Sequence, residues 1–266
     1  MIQKTSHRFF DKDGFILDNG YDPYTLNRYI DYYSANRIEY IRCQDDDLMN
    51  LLPFNDVQYI VISEDAIHFD VLDRLCALKG ISLHNDQLSC ISENVKMRIE
   101  SLVVHCHTNQ AICLNGFPSL KHLSIDGFKN SDLSFLGGLS VCRISISSGT
   151  VKELRGLEKH IGLESFEAFY CPRLHDISAL RTMKRLKTIS FDECNHLNPD
   201  FTQHLPDSVE RLRIMGSEYT APKTHFETLA FLSDLPNLKV FTTNWRFQKK
   251  DMQLYKQYKT IINHIL

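Results

Sequence analysis

The chain has 266 residues, 43% hydrophobic and 24% charged, with 30 basic against 33 acidic residues and a formal net charge of -3. This is the make-up of a globular protein with room for one large domain or two small ones. It lacks the basic excess with which a general nucleic-acid binder neutralises phosphates. It also has no run of about 18 apolar residues that would span a membrane. Residues 1–20 carry Lys4, Arg8, Asp11, Lys12, Asp13 and Asp18 and no apolar stretch of the kind a secretory leader has. The eight cysteines, Cys43, Cys76, Cys90, Cys106, Cys113, Cys142, Cys171 and Cys194, include no CxxC pair. That pattern fits reduced thiols in a cytoplasmic protein better than a disulfide framework.

In chain order, Phe9-Phe10 and Phe15-Ile16-Leu17 flank Asp-Lys-Asp-Gly at 11–14, which reads as a hairpin turn. The same four residues resemble part of a calcium loop, but a third carboxylate and a closing Glu are missing. Asp22-Pro23 is a helix start, with Asp as the cap and Pro in the first helical position. Leu26, Ile30 and Tyr33 follow at helical spacing. Residues 1–37 are thus expected to form an N-terminal hairpin and helix cap.

From Ile38 a repeat sets in. Its rows are clearest as Leu120-Lys-His-Leu123-Ser-Ile125, Val141-Cys-Arg-Ile144-Ser-Ile146, Leu163-Glu-Ser-Phe166-Glu-Ala168, Leu186-Lys-Thr-Ile189-Ser-Phe191 and Val209-Glu-Arg-Leu212-Arg-Ile214. Each is apolar at positions 1, 4 and 6. Rows start at Ile38, Val57, Leu78, Ile99, Leu120, Val141, Leu163, Leu186, Val209 and Leu238, in steps of 19, 21, 21, 21, 21, 22, 23, 23 and 29. A near-constant period of this size marks a stacked-repeat fold. One turn alone cannot bury three apolar side chains, but turns stacked on one another can. The LxxLxL segment reads as a strand, so successive rows should pair into a parallel sheet of about ten strands spaced about 4.8 Å.

Residues 38–244 resemble a leucine-rich-repeat protein. Leu174-His-Asp-Ile177-Ser-Ala-Leu180 and Leu133-Ser-Phe-Leu136-Gly-Gly-Leu139 look like the return segments of the short, bacterial, internalin-like repeats. Cys171 and Cys194 stand where that family places an Asn or Cys that bonds the turn backbone. Asp65, Asp86, His107, Phe128 and Gly149 stand at the equivalent place in earlier rows, a departure from the pattern. The resemblance implies an α/β solenoid, a leucine-rich-repeat horseshoe with its parallel strands on the concave face and a helical cap at each end. In the 29-residue step, Thr224-His-Phe-Glu227 reads as a capping box, followed by Leu229, Phe231, Leu232 and Leu235, and predicts a helix of about three turns. From Asp251 an amphipathic pattern of Leu254, Tyr258, Ile261, Ile262 and Ile265 predicts a last helix, making 245–266 the C-terminal cap.

If positions 4 and 6 of a row point inward, positions 3, 5 and 7 point out. That places Tyr40, Arg42 and Tyr59 near one end of the outward face, His84, His105, His122, Asp126 and Arg143 along its middle, and Glu167, Phe169, Asp192, Arg211, Arg213 and Met215 toward the other end. Aromatic residues, Arg and Met are the types enriched at interface cores, so these residues are the expected partner-binding set. His84, His105 and Asp126 share one column of three adjacent rows, about 5 Å apart per strand. Two imidazoles and a carboxylate are also a zinc-capable set. Ser82, Ser124, Ser145, Ser147 and Ser190 come with no G-x-S-x-G elbow, and there is no phosphate-binding glycine loop. The expectation is therefore a protein-binding module without catalytic residues or cofactor, monomeric on its own. Its narrower form is a cytoplasmic inhibitor or immunity protein that neutralises a protein toxin through its concave face. The alternatives are an effector or scaffold that recruits signalling proteins, and a metal-dependent site at His84, His105 and Asp126.

Overall fold

The structure is a computed structural model that describes residues 3–17, 23–106, 112–217 and 226–265. Each row of the repeat forms a short strand beginning at its third residue. The chain opens with β1 (Lys4–His7), β2 (Lys12–Leu17) and helix α1 (Pro23–Asn36). The row strands are β3 (Tyr40–Cys43), β4 (Tyr59–Val61), β5 (Gly80–His84), β6 (Ser101–His105), β7 (His122–Asp126), β8 (Arg143–Ser147), β9 (Ser165–Phe169), β10 (Thr188–Asp192), β11 (Arg211–Met215) and β12 (Val240–Thr243). A final strand, β13 (Ile262–His264), follows the short helix α3 (Met252–Gln257), and α2 (Glu93–Arg98) sits between β5 and β6. The sheet has thirteen strands among the described residues, and their order in it is their order in the chain. The described pairings are parallel except that of β1 with β2. This is the leucine-rich-repeat solenoid, with three strands beyond the ten rows.

By contacts the chain divides into two compact units, Met1–Ser124 and Ile125–Leu266. In the second unit the row pattern is regular. Ile144 pairs with Phe166 and Ile146 with Ala168 between β8 and β9. Phe166 and Ala168 then pair with Ile189 and Phe191 of β10, and Ile189 pairs with Leu212 of β11. All of these are at most 1% exposed. The small Ala168 stands beside the large Phe191, so volume is shared between adjacent rows rather than fixed within each.

After each strand the chain turns through a left-handed residue. The sixth position of the strand motif is followed two residues later by Gly127 (φ 73°), Ser148 (52°), Tyr170 (48°) and Glu193 (58°) in four consecutive rows. The next residue points back under the strands and forms a ladder of Phe128, Gly149, Cys171 and Cys194. Cys171 Sγ lies 3.6 Å from the Phe169 carbonyl, and Cys194 Sγ lies 3.6 Å from those of Ala168 and Asp192. The two thiols thus take the backbone-bonding place expected of them. Gly149 is required by its neighbour, because a Cβ there would lie 2.6 Å from the Phe128 ring. Return segments are short 3-10 turns such as Ser134–Leu136 and Ser178–Thr182, which bury Leu136 and Leu180.

In the first unit, α1 spans Pro23–Asn36, its expected cap Asp22 lying outside the described residues, and lays Tyr29 on Phe15 and Tyr33 on Phe54, with ring centroids 5.1 and 5.2 Å apart. The N-terminal hairpin differs from expectation. Its turn lies at residues 8–11, with Asp11 left-handed (φ 54°) and donating its N–H to the His7 carbonyl, while Lys12–Gly14 belong to β2. Phe9 and Phe10 therefore sit at the tip rather than in a strand. Two further expectations need correction. In the 29-residue step the helix of three turns is a five-residue 3-10 turn, Ala230–Asp234, and Thr224 and His225 lie outside the described residues. Near the C-terminus, α3 stops at Gln257 and Ile262 enters β13, paired with Phe241. β-Branched Thr260, Ile261 and Ile262 favour a strand over continued helix.

Two stability outcomes follow. Phe166→Ala should lower unfolding free energy by about 3–5 kcal/mol in a denaturant titration, as a large ring is removed from a sealed stack. Gly149→Ala should cost about 1–3 kcal/mol by overpacking, and Phe128→Leu in the same chain should recover part of that loss.

Candidate functional site

The outward face of the strands carries the candidate residues, and the two units present it differently. In the first unit the hairpin tip lies across it. The Phe10 ring packs against Tyr59 (centroids 5.1 Å) and Tyr40 (6.4 Å), and His7 stacks on Phe10 (4.3 Å) and meets the Tyr40 ring edge-on at 5.6 Å. Phe10, Tyr40 and Val103 form a small buried cluster flanked by Phe9, Tyr59 and Val61. Gly80 leaves the room for it, since a Cβ there would lie 2.5 Å from the Tyr59 ring and 3.2 Å from that of Phe10. Tyr40, expected as a contact residue, is 0% exposed. Burial pushes its phenol up to about 12. It is a core residue of this cover, and Tyr59 is half-buried beneath it.

Arg42 remains exposed next to this cover. A cleft of about 490 Å³ opens beside it, lined among others by Gln44, Ser63, Glu64, His84 and His105. The His84 and His105 rings are 5.7 Å apart. Each of two imidazoles is held by a serine of the preceding row: His105 Nε2 to Ser82 Oγ at 3.0 Å, and His122 Nδ1 to Ser101 Oγ at 3.1 Å. Asp126 belongs to the second unit, where it accepts a hydrogen bond from the Ser147 hydroxyl at 2.7 Å. Among the described residues no group of three or more His, Cys, Asp or Glu is gathered that could hold a metal ion.

In the second unit the outward face is laced with cross-strand ion pairs. Arg143 donates to Glu167 at 3.0 Å, from β8 to β9. Arg213 Nε on β11 donates to both oxygens of Asp192 on β10, at 2.9 and 3.0 Å, and Ser190 donates to the same carboxylate at 3.2 Å. Partly exposed pairs of this kind add about 0–1 kcal/mol each to stability, but they fix where the charged groups stand. Between the two pairs Phe169 is 46% exposed, with Tyr170 52% exposed in the turn beside it. Arg211 is exposed and Met215 half-buried on β11, and Val240 on β12 is 40% exposed. Asn244 closes this end by exchanging two 2.8 Å hydrogen bonds with the Gly216 backbone. The structure thus brings Arg143, Glu167, Phe169, Asp192, Arg211, Arg213 and Met215 onto adjacent strands. Tyr170 and Val240 extend the patch and were not among the expected residues. Tyr170 sits in the left-handed turn, where strand alternation gives no direction.

No family model matches the chain, and no curated protein matches it in sequence. Solved structures do. One is an internalin (inlF) from Listeria monocytogenes, with TM-score 0.58 and 14% identity over 86% of this chain and 76% of that one. Another is a chain of the Drosophila Toll–Spatzle complex, with TM-score 0.56, 11% identity, 85% of this chain and 36% of the other. A third is from the TLR13–ssRNA13 complex, with TM-score 0.53, 13% identity, 79% of this chain and 31% of the other. These are leucine-rich-repeat folds, so the likeness establishes the architecture of this chain. No helix among the described residues is long and apolar enough to cross a membrane.

The hairpin cover carries a pH dependence. Burial, then the charge of Arg42 and of His105, lowers His7 to about 4 from its ordinary 6.5. The folded state therefore favours the neutral ring. Its contribution is complete above pH 6.5 and is lost as pH falls toward 4. Protection factors of the β1 and β2 amides, taken against the intrinsic exchange rate at each pH, should fall over that interval, and His7→Phe, which keeps the stacked ring without the proton, should flatten the response.

Proposed function

We propose that this chain is a non-catalytic protein-binding module whose docking surface is the outward face of β8–β12. The observation that carries this reading is Phe169, a large apolar side chain left 46% exposed between two preset ion pairs, Arg143–Glu167 and Arg213–Asp192. An aromatic anchor ringed by oriented polar groups is the arrangement of a binding hot spot. Because the ring and its charged neighbours sit on paired strands, little conformational freedom is lost when a partner seats. The charged groups of both signs supply registry and suppress wrong partners.

The narrower form of this reading is a cytoplasmic inhibitor, an immunity protein that blocks a protein toxin by covering it. A rigid face that needs no rearrangement suits such a role, since affinity then falls mainly on slow dissociation. An effector or scaffold would use the same surface with weaker, exchanging partners.

The test is affinity capture with the full chain from its native cell lysate. Identification of one dominant partner, followed by titration, should show nanomolar binding for an inhibitor. Phe169→Ala should weaken it by about 2 kcal/mol or more. Arg211→Glu should change the association rate in low salt while leaving the melting temperature unchanged. Wild-type affinity in both variants would place the partner elsewhere.

A further inference from the structure

A cavity of about 300 Å³ opens in the second unit, on segments that follow the strands rather than on their outward positions. Its walls come from the stretch after β10, chiefly Leu197, Pro199 and Phe201, from Phe226 ahead of the Ala230–Asp234 turn, and from Trp245 just beyond β12. Three rings make one side of it. The Phe226 centroid lies 5.2 Å from that of Trp245 and 6.4 Å from that of Phe201, and Phe201 meets Trp245 edge-on at 6.1 Å. The backbone beneath these rings is pinned. Phe226 donates its N–H to the Arg246 carbonyl at 3.2 Å, and its own carbonyl accepts from the Gln248 amide at 3.1 Å. The Trp245 N–H donates to the Thr243 hydroxyl at 3.0 Å, and its carbonyl bonds the His264 ring at 3.2 Å. The wall is thus set before anything enters.

This wall leaves a polar atom over. Trp245 is 5% exposed, and its Nε1 is buried with no hydrogen-bond partner among the described residues. A buried donor left unmet costs stability, and native chains keep few of them. An indole nitrogen can only donate, so what it lacks is an acceptor. Thr228, on the same cavity, is already committed. Its hydroxyl donates to Asp251 at 3.0 Å and accepts the Ala230 N–H at 3.1 Å. The exposed carboxylates of Asp200 and Glu227 also line the cavity, with His204 Nε2 3.8 Å from Asp200. No basic residue lines it among the described residues, so an anion would meet two carboxylates and no counter-charge in the wall.

We propose that this cavity binds a small neutral aromatic molecule that carries one hydrogen-bond acceptor, such as a carbonyl, and that Trp245 Nε1–H holds that acceptor. A ring suits walls made of Phe201, Phe226 and Trp245, because aromatic groups gain from offset and edge-to-face contact. Ligand cavities run from about 300 to 1,000 Å³, and this one stands at the lower end, so its occupant is a one- or two-ring molecule. The site takes none of its residues from the β8–β12 face, and neither reading needs the other.

Trp245 is the single tryptophan of the chain, so its indole N–H gives one identifiable resonance in a proton–nitrogen correlation spectrum of the full chain. The probes are acetophenone and α-methylstyrene, alike in shape and in ring, of which only the first has an acceptor. Both are titrated over the same range, set by the solubility of the hydrocarbon. We expect acetophenone to move the resonance saturably, with one site, and downfield of where α-methylstyrene moves it. Ligand-observed saturation transfer then compares the two affinities in Trp245→Phe, which keeps a ring without the donor. The ratio of acetophenone to α-methylstyrene affinity should fall about threefold or more, the worth of a neutral hydrogen bond. Thr202→Phe, at a half-buried lining position, should block both probes, with the melting temperature reporting that the chain is folded. No saturable response to either probe would overturn the proposal. So would equal displacement of the resonance by both, an unchanged affinity ratio in Trp245→Phe, or undiminished binding in folded Thr202→Phe.

Discussion

Everything in this chain depends on the three apolar side chains of each row finding their cover in the next row. A single LxxLxL segment with its return turn has no interior. Ile144, Phe166, Ile189 and Leu212 are sealed because the strands register them side by side at one depth. The same rule lets volume pass between rows: Ala168 beside Phe191, and Gly149 beside Phe128. It also creates a problem at the ends, where a row has only one neighbour. The chain answers with strands outside the repeat, the β1–β2 hairpin before it and β13 after it. Aromatic packing under α1 at one end, and around Phe226, Phe241 and Trp245 at the other, adds to the seal.

The outward face follows from this by parity. Residues that cannot point into the stack must point away from it, so the alternation that builds the core also presents the surface. What the surface then does is decided locally. In the first unit the hairpin tip lays Phe10 over Tyr40 and Tyr59. In the second unit the outward residues pair with each other across strands and leave an aromatic ring between the pairs.

The strands were legible because their signal is doubly determined, by a repeat of about 21 residues and by alternation within it. The third residue of every row from Tyr40 to Val240 is the first residue of a strand. Cys171 and Cys194 were legible for the same reason. The hairpin cover was not predicted, although a signal for it existed. Tyr40, Tyr59, Val61 and Val103 are apolar at outward positions, and Gly80 among them has no side chain, which together describe a surface that something else must cover. The turn was misplaced because Asp-Lys-Asp-Gly carries turn residues, whereas the pairing of β2 with β3 draws Gly14 into the sheet opposite Tyr40. At the C-terminus a helical spacing of apolar residues lost to strand pairing with Phe241, a tertiary contact that periodicity does not encode. The metal-capable column of His84, His105 and Asp126 rested on row order alone, and the individual hydrogen bonds to Ser82 and Ser147 show how differently each member is used.

The central claim is that the inward row positions and the ladder residue after each left-handed turn are sealed in the stack, and the chain's own thiols report on it. Cys43, Cys106, Cys171 and Cys194 are buried, and Cys76, Cys90 and Cys113 are exposed. Timed labelling of the native protein with a thiol reagent, read by mass spectrometry of its peptides, should modify the exposed three within the first minutes. The buried four should resist until denaturant unfolds the stack. Cys171 and Cys194 reacting as fast as Cys76 in the native protein would contradict the account.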